Sequence, residues 1–148
     1  MLDRVLNFSL LAAKFVGVIL YYANFDVVRK NVVLALPNGA IEVNSGCSGL
    51  PSIAILLQMG ALFAIYCPVP RLIALLLPLT GALIAFLVNG FRIMILAILT
   101  NAQNKSAFDY WHEGMGEQVF SIISMVLFGL LCEWIWEQTH TQEKSETN

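Results

Sequence analysis

Four apolar runs constrain this chain more than anything else in it: Val5 to Ala23, Leu50 to Tyr66, Leu72 to Leu99 and Gln118 to Trp136. A bilayer core about 30 Å thick takes roughly 20 helical residues at 1.5 Å each, so each run predicts a transmembrane helix. The predicted fold class is therefore an all-α membrane protein with about four transmembrane helices. Composition agrees: 58% of the 148 residues are hydrophobic and only 12% charged, far from the mixture of an ordinary soluble domain. With a formal net charge of -2 and no strongly basic or acidic block, the chain has no feature that recommends nucleic acid as a partner. The first run resembles a signal peptide only superficially. It is long, contains Lys14, and reaches Tyr21-Tyr22 without a small-x-small cleavage pattern, so it is expected to be retained. Residues 1–138 then form a single membrane-embedded domain, and the polar segment 139–148, with nothing to bury, reads as a disordered tail.

The connections are short. Lys14 lies near the middle of the first run, where it either takes a site or pairing role or snorkels to an interface. Val32–Leu36 and Ala40–Val43 are β-prone segments separated by Pro37-Asn38-Gly39, and Asn-Gly supplies the positive φ angles of tight turns. They predict a small β-hairpin on the membrane surface before the second helix, either a lid on the bundle or an edge able to pair with an extended peptide. Cys67-Pro68-Val69-Pro70-Arg71 is a tight exit from the second run. The third run is too long for one untilted crossing, and Pro78 with Gly81 predicts a tilt or a break. Asn101 to Glu117 reads as a polar connection.

Counting helical rises decides which reactive side chains can meet. Cys47 and Cys67 flank the second run, about 30 Å apart, so they belong to opposite faces; Cys132 falls on the side of Cys67. No C-x-x-C is present, which argues against a disulfide oxidoreductase. Arg92 lies about 32 Å beyond Arg71, at the face of Cys47, and the segment carrying His112 emerges there too. Singly, Arg92 could be a snorkelling boundary charge, His112 an interfacial polar residue and Cys47 a small interfacial one. Together they make an acyl-transfer set. Gly46-Cys47-Ser48-Gly49 is expected to leave the sulfur accessible, and a helix opening at Ser48-Gly49-Leu50-Pro51 would favour thiolate at its positive end. His112 can take the thiol proton and return it to a leaving amine. Arg92 offers a fork of donors for an oxyanion or a carboxylate, with Asn89 three residues earlier able to orient it.

Cys47-Ser48-Gly49-Leu50, Asn89-x-x-Arg92-Ile93 and His112-x-x-x-Gly116, in this order and each at a predicted membrane boundary, resemble the exosortase/archaeosortase family of membrane-embedded cysteine transpeptidases. The resemblance covers roughly Val27 to Trp136 and is closer to bacterial members, the cyanobacterial branch among them, than to archaeal ones. It implies catalytic Cys47, Arg92 and His112, supported by Ser48, Gly49, Asn89 and Gly116, on the extracytoplasmic face of the cell membrane, with the 139–148 tail cytoplasmic. The implied substrates are exported proteins ending in a PEP-CTERM-like sorting signal: a short motif, a transmembrane helix and a basic cluster. No metal or other cofactor is expected. Family members commonly carry further spans before the catalytic half, where this chain has one, which leaves room for a partner subunit. Two other readings compete: a non-catalytic membrane subunit of a larger sorting or envelope assembly, and a lipid-handling acyltransferase, for which an acidic pair or His-rich cluster is wanting.

Overall fold

A computed structural model describes residues 8–44, 46–112 and 114–146, with side chains to Thr139. The beginning of the first apolar run at Val5, the residue Glu113 and the last two tail residues lie outside this range. The described chain forms α1 (Phe8–Tyr22), β1 (Val28–Lys30), β2 (Val33–Leu36), β3 (Gly39–Glu42), α2 (Leu50–Tyr66), α3 (Arg71–Asn101), α4 (Lys105–His112) and α5 (Met115–Glu146).

Within the described residues all four apolar runs form helices, but they are not equal. Among the described residues two helices are long and apolar enough to cross a membrane, α3 and α5 over Met115–Thr139. Two of the four expected spans thus meet that length, and α1 and α2, with 15 and 17 described residues, are shorter apolar helices. The last helix also continues to Glu146, through most of the segment expected to be disordered. Nothing in Gln-Glu-Lys-Ser-Glu interrupts a helix already started, since it holds neither glycine nor proline and three of its residue types are good helix formers.

The centre of the bundle is α3, which runs unbroken through Pro78, so of the expected tilt or break the break is absent. Small residues bring α2 against it. A Cβ on Gly60 would stand 2.7 Å from the Pro78 Cα, and one on Gly81 2.9 Å from the Leu56 carbonyl oxygen, so the two backbones nearly touch. Close backbone approach of this kind is how apolar helices associate where lipid offers no hydrophobic drive. Two cores result. One joins α1 (Ala12, Ala13, Val16, Leu20) to Ile93, Leu96 and Ala97 of α3 and to the inner face of the sheet. The other joins Ile53 and Leu56 of α2, Leu77 and Ala85 of α3, and Phe128 and Cys132 of α5.

The expected hairpin is a three-stranded antiparallel sheet of order β1-β2-β3. Leu36 pairs with Gly39, so the loop between β2 and β3 is Pro37-Asn38, and neither Asn38 nor Gly39 has the positive φ expected of them. Both serve docking instead. The Asn38 backbone N–H donates to Asn101 Oδ1 and its side-chain Nδ2 to the Asn101 carbonyl, each at 3.2 Å. A Cβ on Gly39 would lie 2.7 Å from the Thr100 side chain. The sheet thus sits on the C-terminal end of α3 and caps its last carbonyl. Left-handed geometry occurs one turn earlier, at Asn31 with φ 59°, in the two-residue loop between β1 and β2. Alternation along β2 and β3 turns Leu34, Leu36 and Ile41 into the core. The polar connection after α3 is largely helical: Asn104 Oδ1 accepts the Ala107 N–H at 3.1 Å and so caps α4.

Candidate active site

The chain leaves β3, turns at Asn44, and reaches Cys47 just before α2. Both sides of the Cys47 peptide are held. Its N–H donates to the Asn44 carbonyl at 3.1 Å and to Asn44 Oδ1 at 3.0 Å, and its carbonyl accepts from Asn89 Nδ2 at 2.8 Å. Gly49 is the N-cap of α2 in a left-handed conformation, φ 74°, and a Cβ there would come within 2.6 Å of the Asn89 amide. Glycine is required on both counts. Ser48 is wholly buried and its hydroxyl accepts the Leu50 N–H at 3.4 Å, within the turn that starts the helix.

Three elements bring the reactive groups together. From α4, His112 places Nε2 3.3 Å from Cys47 Sγ, a hydrogen-bonding distance for sulfur. Phe108, one turn earlier on α4, stacks on the imidazole with centroids 5.1 Å apart and planes 14° from parallel. From α3, Arg92 donates through Nη2 to the His112 carbonyl at 2.9 Å, and its Nη1 lies 3.4 Å from Glu117 Oε1 in the first turn of α5. The guanidinium therefore ties the carbonyl end of α4 to the amide end of α5, where a cation and an acid respectively suit the helix dipoles. Arg92 Nε is buried with no hydrogen-bond partner among the described residues. A cleft of about 130 Å³ opens alongside, lined by Gly46, Gly49, Asn89, Arg92, Glu117 and Ser121 among others.

Cys47, Arg92 and His112 thus meet as counted from the sequence, with three differences. Cys47 is only 3% exposed, not accessible: it belongs to the first core, against which Phe108 and Trp111 also pack. Asn89 orients Cys47 through its carbonyl and not Arg92. Gly116 is needed for space: a Cβ there would lie 2.6 Å from the Trp111 ring and 2.9 Å from the Tyr110 carbonyl, so glycine permits the sharp turn from α4 to α5. Sequence reasoning missed Asn44 and Glu117. The signal for Glu117 was an acid next to Gly116 at the start of an apolar run; Asn44 carried none beyond its closeness to Cys47. Among the described residues no group of three His, Cys, Asp or Glu side chains could hold a metal ion.

A helical membrane protein with a thiol, an imidazole and a guanidinium gathered at one end of its bundle is the class that fold and site define. The model of the transmembrane exosortase family matches residues 1–129, which takes in all of these side chains. The chain belongs to that family. No curated protein and no solved structure matches it.

Proposed function

We propose that this chain is a cysteine peptidase and transpeptidase acting at the membrane boundary, cleaving C-terminal sorting signals through a thioester on Cys47 and passing the new carboxyl end to an acceptor. The observation that carries this reading is the 3.3 Å contact between Cys47 Sγ and His112 Nε2, with Arg92 hydrogen-bonded to the backbone of the same histidine. Nε2 takes the thiol proton, and the sulfur attacks the scissile carbonyl carbon. Arg92 Nε–H, which has no protein acceptor among the described residues, supplies a donor for the oxyanion that forms. Collapse breaks the C–N bond, the imidazolium protonates the departing amine, and the tail's C-terminal helix is released. An acceptor nucleophile then attacks the thioester, gives its proton to His112, and the sulfur leaves to be reprotonated.

The substrates in this reading are exported proteins anchored by a short motif, a transmembrane helix and a basic cluster. The Cys47 end of the bundle faces outside the cytoplasm, and α1 and α2 cross the plasma membrane along with the two longer helices. A thiol reporter tests the orientation: Ala40→Cys in a Cys47→Ala background should be labelled by a membrane-impermeant reagent in intact cells while Cys67 is not. Labelling of Cys67 alone rejects it. The chemistry is tested by mass spectrometry of the acceptor-depleted protein, which should find substrate joined to Cys47, with the released helix appearing before the acceptor-linked product. Cleavage that survives in Cys47→Ala with no adduct on any residue rejects the assignment.

A further inference from the structure

On the far side of α1 from the first core lies a cavity of about 490 Å³, lined by Lys14, Gly17, Val18, Tyr21, Tyr22 and Arg29 among others. We propose that it binds the phosphate of an anionic membrane phospholipid, between the Lys14 ammonium and the Arg29 guanidinium. The two cations reach it from different elements. Lys14, Val18 and Tyr21 follow one another at helical spacing on the exposed face of α1, opposite Ala13, Val16 and Leu20 in the core. Arg29 comes from β1, and its stem crosses α1 at Gly17: a Cβ on that glycine would stand 3.7 Å from Arg29 Cδ.

Among the described residues neither charge meets an acidic side chain within ion-pairing distance. The ion pair among the described residues joins Arg92 to Glu117 elsewhere, and no acidic side chain lines this cavity. Arg29 uses Nη1 for the Asn31 carbonyl at 2.9 Å, which leaves further donors on the fork. A cation set within an apolar helix is expensive unless a partner or an interface receives it. Here the missing partner is an anion from outside the chain.

The surroundings select a lipid over a free ion. Tyr21 and Tyr22, 70% and 83% exposed, are the residue type that marks the headgroup level. Deeper on the same face, Leu11 is half exposed and continues the track as an apolar wall for an acyl chain. Lys14 sits between these zones, where its stem can lie along the wall and its ammonium rise to the phosphate.

The test is lipid titration of the purified chain in phosphatidylcholine nanodiscs, read by native mass spectrometry after extraction. Phosphatidylglycerol should be retained over phosphatidylcholine. Lys14→Met and Arg29→Gln should each weaken retention about fivefold and the pair about 25-fold, on the scale of one cation at an anionic surface. Lys14→Arg, which keeps the charge, should retain the lipid and serves as the control for folding. Lys30→Gln should have no effect, because Lys30, though adjacent in β1 and exposed, does not line the cavity. The proposal is overturned if the two phospholipids are retained equally or if Lys30→Gln weakens retention as much as Arg29→Gln. It is also overturned if millimolar inorganic phosphate displaces phosphatidylglycerol, which would mark a simple anion site.

Discussion

The two ends of α2 each hold a buried thiol, and the ends could hardly differ more. At the Cys47 end, Asn44, Asn89, Arg92, His112 and Glu117 converge within hydrogen-bonding or ion-pairing reach of the cysteine or of one another. At the other end, Cys132 and Cys67 line a cavity of about 390 Å³ whose remaining walls are almost wholly apolar, Leu56, Met59, Phe63 and Phe128 among them. Cys47 and Cys132 are both buried. Burial therefore does not separate the two thiols; the company of a base and a cation does.

Substitutions should divide along the same line. The largest contrast is between Cys47→Ala, expected to reduce release of the substrate's C-terminal helix to background, and Cys132→Ala, expected to keep it within about twofold. If both are inactive, the contrast fails. Next, His112→Ala should slow acylation and transfer by roughly 10² to 10⁴, the range of a positioned acid or base, with substrate binding retained in a pull-down. Arg92→Lys should lower turnover by about 10², as loss of an oxyanion donor does, because a point charge cannot serve the His112 carbonyl, Glu117 and the oxyanion together. Arg71→Lys, at the opposite end of α3, should stay within about twofold. Asn89→Leu leaves the buried Cys47 carbonyl without its donor and should cost about 1–3 kcal/mol of stability, with turnover lowered about tenfold. The smallest effect on chemistry is expected from Gly60→Val. It overpacks the contact with Pro78 and should destabilise by about 1–3 kcal/mol in a thermal melt, while turnover per folded molecule changes less than threefold.

The sequence was most legible where one dimension is enough. Apolar length located the four apolar helices, and a rise of 1.5 Å per residue brought Arg92 and His112 to the face of Cys47 without any knowledge of packing. It was least legible where three dimensions decide. Val28-Arg29-Lys30 is a strand of three exposed residues, two of them charged; it exists because β2 lies beside it and has no hydrophobic alternation to announce it. Asn38-Gly39 was read by its backbone freedom, yet its use is to dock on Thr100 and Asn101, some sixty residues away in sequence. Small residues around Cys47 suggested openness, whereas small residues also let neighbours close in. Whether a glycine makes a gap or a contact depends on what stands opposite it.

Helix α3 has a consequence that reaches beyond the protein. Its 31 residues extend about 46 Å, against a hydrocarbon layer of about 30 Å, so a length of about 16 Å must be absorbed by tilt or by projection into water. The sheet is fixed to its last residues and Arg92 lies about two-thirds of the way along it. Bilayer thickness is thus a variable of the proposed reaction. Lipids with longer acyl chains draw the level of the water up toward Asn101, shorter ones let it fall toward Arg92, and hydrophobic mismatch sets the depth at which thiol and imidazole meet their substrate. Reconstitution in a series of bilayers graded by chain length should give a turnover maximum at one thickness, with the same side chains in place throughout.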